Sequence, residues 1–321
     1  MSPGADNMSN VIDYEYGISA IDSGFGRPRM DAIHLIVEGA HAALVDTGTN
    51  ASLPHVLAAL AAKGLAPEQV EYVVLTHIHL DHAGGAGALM RVLPNARLTV
   101  HPRGARHMAD PSRLVAGTNA VYGEAQARRM YGEILPVPVE RILETPEGAT
   151  IRLGSRELLF LDTPGHARHH VCIRDGRSGH VFAGDTFGLS YREFDVDGRP
   201  FAFPITTPVQ FDPPAMHASI DRLLAHRPGA IYVTHYGQVR DVPRLGADLH
   251  RLIDAHVDVA LHHRSAGAER QAAIRAGLAE ILLGESRRQG WGMAPDGLLR
   301  LMAADLELNA QGLVAWLDGE A

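Results

Sequence analysis

A single cysteine, Cys172, stands in 321 residues. No disulfide framework can form within the chain, so a small stapled secreted scaffold is excluded and a reducing compartment fits. Long hydrophobic runs are missing as well, and no uninterrupted apolar stretch approaches the roughly 20 residues of a membrane span. The opening residues, MSPGADNMSNVIDYEYG, lack the charged-then-apolar run of a signal peptide. Excess positive charge is absent: 29 Lys and Arg stand against 37 Asp and Glu, a formal net charge of -8. A general nucleic-acid binder needs a basic surface, so that class is disfavoured. There is no internal repeat and no low-complexity tract. What remains is an ordinary globular composition, 46% hydrophobic and 21% charged. That is enough apolar material for a sizeable core. A cytoplasmic enzyme or binding protein is the expectation.

The residues that are present alternate between strand and helix patterns. Residues 31–46 read as two strands joined by a tight Glu38-Gly39 turn. SLPHVLAALAAKG reads as a helix, with Pro54 near its start and Gly64 past its end. VEYVVLTH is a short buried strand, GAGALMRVLP a helix and RLTVHP another strand. From 103 to 135 the pattern turns helical. Strands return in ATIRL, RELLFLDTPG, HVCIRDG and HVFAGD, with a turn over Gly176–Gly179 between the last two. PAMHASIDRLLAHRPG is a helix, AIYVTHYG a strand, and after Pro243 the signal is almost wholly helical. This predicts a mixed α/β domain over 11–240 and a helical C-terminal extension over 241–321.

The chemistry concentrates after one of these strands. VVLTHIHLDHAGG places His77, His79, Asp81 and His82 directly behind an apolar run. Chance alone yields H-x-H-x-D-H in roughly a few of a thousand such chains. His77 and His79 are two apart, so in extended backbone they project to one side, and Asp81 and His82 follow in the turn. Imidazole and carboxylate together suit zinc, iron or manganese. Gly84, Gly85 and Gly87 let the backbone turn closely around such a site. Other apolar strands end in the same residue types: FLDTPGH at His166, VFAGD at Asp185 and IYVTH at His235. Strand ends on a rigid scaffold are where a site of this kind is built.

With THIHLDH, DTPGH, AGD and THYG in that order, the chain resembles the metallo-β-lactamase-fold hydrolase superfamily over residues 30–240, near its glyoxalase II, lactonase and thioesterase-like members. The resemblance implies a four-layer αββα sandwich with metals at one edge of its two sheets. Carried over position by position, His77, His79 and His166 would hold one metal. Asp81, His82 and His235 would hold a second, and Asp185 would bridge them. Asp46 in LVDTG matches the strand-end aspartate that supports a ligand without being one. The third motif departs from G-H-T-x-G-H: it reads GHARHHV, with His169 in place of glycine and His170 in place of the second histidine. His169 is expected to face solvent. Tyr191 lies near the tyrosine of the lactone-cleaving branch, at a different offset. The helical extension resembles glyoxalase II and the quinolone-signal thioesterases in architecture only.

The function implied is a dinuclear metal-dependent hydrolase of a carboxylic ester, thioester or lactone, working through a metal-bridging hydroxide. Asp81 or a bound water would pass a proton to the leaving group. The cofactors are two divalent metal ions, zinc first, with iron or manganese as alternatives. A small-molecule substrate is the expected partner, with no nucleic acid and no membrane, and a homo-oligomer is compatible. The 103–135 insert and the extension would shape the pocket, the extension covering part of its mouth. Tyr122, Tyr131, Tyr191 and Tyr236 are candidate lining residues, each weighed against ordinary packing. Residues 191–214, rich in aromatics and prolines, read equally as a substrate-facing loop or as one packed by its own rings. His250, His256, His262 and His263 read as solvated or packed. Two other functions share the pattern: an iron-dependent redox enzyme of persulfide dioxygenase or oxygen-reactive diiron type, and a regulatory protein that keeps the metal core.

Overall fold

The computed structural model describes residues 10–206 and 209–319. The chain falls into two compact units. One takes in the chain up to Thr145 together with Ile151–Glu157, and the other Pro146–Thr150 together with Leu158 onward.

The first unit is built on a mixed sheet of strands β1 (Val11–Asp13), β2 (Ile18–Asp22), β3 (Ala32–Glu38), β4 (His41–Val45), β5 (Val70–Val74), β6 (Arg97–Val100) and β7 (Ile142–Glu144), in that order. The first four pair antiparallel and the later ones parallel. The β3–β4 connection turns at Gly39, whose φ of 62° is the left-handed conformation a tight hairpin asks for. Parallel pairing needs a crossover, and helix α1 (Leu53–Ala62) supplies it between β4 and β5. Pro54 opens α1, and Val56, Ala59 and Leu60 are its buried face. These join Leu35, Leu44, Val73, Leu75, Leu89, Met90 and Leu98 in one continuous core. Helices α2 (Leu80–Ala83) and α3 (Ala86–Val92) follow β5. Helices α4 (Pro102–Ala109), α5 (Ser112–Tyr122) and α6 (Glu124–Tyr131) fill the stretch expected to be helical between β6 and β7.

The second sheet is also mixed. Its order is β13 (Gly237–Val239), β12 (Ile231–Val233), β11 (Val181–Gly184), β10 (Val171–Asp175), β9 (Arg156–Asp162), β8 (Thr150–Leu153). Helix α7 (Pro213–Ala225) precedes β12, capped by the Asp212 carboxylate, which accepts from the Ala215 N–H. Helices α8 (Val242–His262), α9 (Arg270–Gln289), α10 (Pro295–Leu301) and α11 (Ala303–Gly319) end the chain. α8 packs against α7, α9 and α11. Its buried Leu245, Leu249, Leu252, Ile253, His256 and Ala260 recur every three or four residues, the stripe of a helix with one face inward. Helices α8–α11 lie in the compact unit that also carries β10–β13. The fold is α/β, with two mixed sheets and C-terminal helices.

Candidate metal centre

In the first unit β5 delivers the opening residues. His79, just before α2, has extended backbone, with φ and ψ of −64° and 150°. His77 and His79 therefore project together: His77 Nε2 and His79 Nδ1 lie 3.0 Å apart. Asp81 and His82 fall in α2, a single helical turn, in place of the expected irregular turn. His82 Nε2 lies 3.6 Å from Asp81 Oδ2. His77 and His82 are fully buried, and Asp81 keeps about a quarter of its side chain exposed (23%).

Asp46 fixes this arrangement. It stands just past β4 with a φ of 60°, and its carboxylate accepts from the Thr76 N–H at 2.9 Å, the Thr76 hydroxyl at 3.0 Å and His82 Nδ1 at 2.8 Å. An ionised carboxylate only accepts, so His82 carries its proton on Nδ1 and turns the Nε2 lone pair outward as a potential ligand. The Thr47 N–H and hydroxyl both bond the His82 carbonyl at 2.7 Å, tying the same loop to α2. Gly85 permits that approach: a Cβ there would stand 2.7 Å from the Thr49 carbonyl oxygen and 2.8 Å from that of Thr47.

The second unit presents a matching set. Asp185 follows β11 and is 3% exposed. Its Oδ2 lies 3.3 Å from His166 Nε2 and its Oδ1 lies 3.4 Å from His235 Nε2. One carboxylate thus offers a different oxygen to each of two imidazoles. His166 Nδ1 faces the Ile205 carbonyl at 3.2 Å, which places its proton there and leaves Nε2 as the acceptor. Gly165, with a φ of 135°, lets this turn press on α7, since a Cβ would sit 2.4 Å from Met216 Cα.

Several supporting residues are silent or misleading in the sequence. His170 accepts from the Asp185 N–H at 3.2 Å through Nε2, while its Nδ1 meets the hydroxyls of Thr163 at 3.0 Å and Thr186 at 3.1 Å. It positions the Asp185 backbone. His169, expected to face solvent, is buried. The turn that brings His166 inward also buries Ala167, His169 and His170, while Arg168 stays exposed. Asn309 of α11 bonds the Thr206 N–H at 2.9 Å and the Pro204 carbonyl at 2.9 Å, bracketing the carbonyl on which His166 rests. Only the spacing of the histidines after Gly165 hints at His170, and nothing local hints at Asn309.

The tyrosines divide. Tyr191 is buried, and its hydroxyl donates to Asp305 of α11 at 3.1 Å, so it serves packing between its loop and the last helix. Tyr236 is buried as well. The loop around Tyr191 packs its rings on an indole from beyond its own residues, with Phe194 stacked on Trp291 at 4.5 Å and Phe201 edge-on to it at 4.7 Å; residues 207–208 lie outside the described residues. Tyr131 instead lines a cavity of about 300 Å³ inside the first unit, together with Leu80, Val115, Asn119, Arg128 and Ile134. Burial raises the Tyr122 and Tyr131 phenols above their ordinary range, and the nearby Asp81 charge adds to it. The cavity therefore adjoins the segment that carries Asp81. Cys172 is no candidate nucleophile: burial pushes its thiol up to about 12.

The strand ends of both units offer imidazole nitrogen and carboxylate oxygen without thiolate. That donor set fits borderline divalent cations.

Relatives share these segments. The chain is 29% identical over 158 residues to an atrochrysone carboxyl ACP thioesterase of Aspergillus fumigatus, a match covering 48% of this chain and 38% of the relative. It is 31% identical over 141 residues to the acyl-coenzyme A thioesterase MBLAC2 of Gallus gallus, covering 40% of this chain and 45% of the relative. The chain thus spans less than half the length of these curated relatives. Among solved structures, the metallo-beta-lactamase family protein TTHA1429 of Thermus thermophilus superposes with a TM-score of 0.66 at 20% identity, over 95% of this chain and 94% of that one. A family model described as the Metallo-beta-lactamase superfamily matches residues 26–235, a span that takes in every strand-end histidine and aspartate described above. The chain belongs to the metallo-beta-lactamase superfamily.

Proposed function

We propose that the protein is a dinuclear metal-dependent hydrolase of acyl thioesters, with carboxylic esters and lactones as the neighbouring substrate classes. His77, His79 and His166 would hold one divalent cation, Asp81, His82 and His235 the other, and Asp185 would serve both. The observation that carries this reading is the Asp185 carboxylate, which aims Oδ2 at His166 and Oδ1 at His235. A carboxylate placed so is suited to two cations at once. The two relatives above, both named as thioesterases, support the thioester class.

Two bound cations supply an activated water at neutral pH and polarisation of the acyl carbonyl. The protein's own groups do the rest. Asp46 keeps the His82 Nε2 lone pair available, and His170 holds the Asp185 main chain in place. Asp81, with 23% of its side chain exposed, would take a proton and return it to the leaving group. A thiol, with an ordinary pKa of about 8.5, leaves with little help of that kind, which suits a single partly exposed carboxylate. The cavity beside Leu80 gives the acyl portion room, at the lower end of the roughly 300–1,000 Å³ typical of small-molecule sites.

The test is thiol release from a panel of acyl thioesters, beside esters, lactones and phosphodiesters, by protein filled separately with zinc, manganese and iron. Thioester hydrolysis that disappears on chelation and returns with metal is expected. Protein carrying both ions that cleaves no acyl substrate, or iron-filled protein that consumes oxygen with a persulfide instead, overturns the reading.

A further inference from the structure

Away from the strand ends, α7 and α8 carry the same short pattern, His-x-x-Ile-Asp: HASID at 217–221 and HRLID at 250–254. Residues four apart share a helix face, so each helix presents an imidazole and a carboxylate side by side. The helices pack against one another, and the pairs cross over. His217 Nε2 meets Asp254 Oδ1 at 3.1 Å, and His250 Nε2 meets Asp221 Oδ1 at 3.1 Å. The rings lie edge to edge and nearly coplanar, with centroids 4.9 Å apart and planes within 10°, and the two Nδ1 atoms stand 2.6 Å apart.

The carboxylates only accept, so each Nε2 carries a proton and each Nδ1 presents its lone pair. Two lone pairs at 2.6 Å repel unless an electrophile lies between them. A shared proton fills that role at this spacing. A metal cation fills it once the rings part: zinc–nitrogen bonds of about 2.0–2.1 Å at a tetrahedral angle put the nitrogens about 3.3 Å apart. A histidine whose far nitrogen is held by a carboxylate is the usual form of a metal-bound imidazole, because the carboxylate fixes the tautomer and raises the ring's basicity. Here both histidines have that support, each from the opposite helix. Their side chains are 27% and 26% exposed, enough for a cation to enter and for water to complete its coordination.

We propose that His217 and His250 form a further metal site, which takes one divalent late transition-metal cation, zinc or copper, between α7 and α8. The cation binds both Nδ1 atoms and the proton they shared leaves to solvent, so protons balance and the site gains one positive charge. Asp221 and Asp254 stay on the far nitrogens as positioning residues and offset the added charge. Such a cation clips α7 to α8 across 33 residues of chain.

The test is a metal count. Full-length protein is stripped with a chelator, refilled with zinc, dialysed and analysed for metal per folded chain. His250→Ala should hold one zinc fewer than wild type with an unchanged far-ultraviolet dichroism spectrum. Asp221→Asn should keep the count at saturating zinc while weakening that one equivalent by about tenfold or more. His217→Phe repeats the count should His250→Ala fail to fold. Equal zinc in wild type and the histidine variants, or a difference that appears only at millimolar zinc, overturns the proposal.

Discussion

Asp46→Asn isolates the part of the proposed centre that depends on a single proton. The carboxylate is fully buried and accepts from the Thr76 N–H at 2.9 Å and from His82 Nδ1 at 2.8 Å. Asparagine keeps the shape and turns one acceptor into a donor. The Thr76 N–H belongs to the main chain and cannot rotate away, so the amide oxygen must stay on that side. The amide nitrogen then faces His82 Nδ1. Two donors cannot share that contact, and His82 relieves it by moving its proton to Nε2. Nε2 is the atom that must be bare to bind a cation. Loss of such an outer partner weakens metal binding about 10–100-fold, or about 1.4–2.8 kcal/mol. The cation assigned to Asp81, His82 and His235 should weaken while the other holds. Competition with a metal-sensitive chelator, run on folded wild type and variant, measures this. Thioester turnover at limiting metal should fall in the variant and recover in excess metal. Unchanged affinity refutes the reasoning, and so does lost activity with both cations still bound.

Three further outcomes follow from named contacts. Asp185→Asn should lower turnover at least about a hundredfold without unfolding the chain, since it loses one ligand oxygen and the charge that balances two cations; near-native turnover with two metals retained would show that Asp185 bridges nothing. Asn309→Ala removes the bonds that hold Pro204 and Thr206 around the carbonyl accepting from His166, so unfolding experiments should show a loss of about 1–3 kcal/mol and metal titration a weaker His166-linked cation; a stability loss with both metal affinities intact would separate α11 from the site. His256 is buried on α8, where desolvation lowers its pKa from 6.5 to about 4. The folded state resists a proton that the unfolded chain accepts, so this stability is complete above about pH 6.5 and is lost as pH falls toward 4. At pH 5 the deficit is about 2 kcal/mol. Urea unfolding at pH 7 and pH 5 should show a drop larger by that amount in wild type than in His256→Leu, and equal drops would contradict it.

The legible parts of this chain are those where local pattern and tertiary role coincide. β5 buries Val70, Val73 and Val74, and the ligand-type residues follow at once, so the strand and the first half of the centre can be read in one short window. The α4–α6 stretch carries helical signals because nothing longer-range overrides them. β1 and β2 escape notice because they are short and are joined through Tyr16 and Gly17, both left-handed, which breaks any alternation. β13 escapes because three residues make no pattern. Asp81 and His82 look like part of an irregular turn because a single helical turn has no periodicity to detect. Tyr191 shows a different limit: its position after Asp185 suggests a lining role, yet its hydroxyl is committed to Asp305, 114 residues away. Asn309 and the Thr206 segment it holds are separated by 103 residues, and no window of sequence contains both.

The same contrast bears on substrate choice. The ligand-type residues sit at strand ends, where core packing fixes the backbone and leaves little freedom in residue type. The cavity beside Leu80 is walled by α5 and α6, and no α5 residue is buried. Ala127 and Tyr131 of α6 are buried, whereas the α5 residues there are not held by a core. Val115, Asn119 and Tyr131 offer apolar, amide and phenol surfaces, with the Arg128 guanidinium beside them. A purely aliphatic acyl chain would leave the Arg128 charge and the Asn119 amide without purpose. A chain ending in a carbonyl or carboxylate would use both. Arg128→Ala should therefore raise KM about tenfold or more for acyl thioesters that carry a terminal carboxylate, and leave KM for unsubstituted chains of equal length unchanged. Steady-state kinetics on such matched pairs decides it, because equal changes in KM for both members of a pair would place Arg128 outside the acyl pocket.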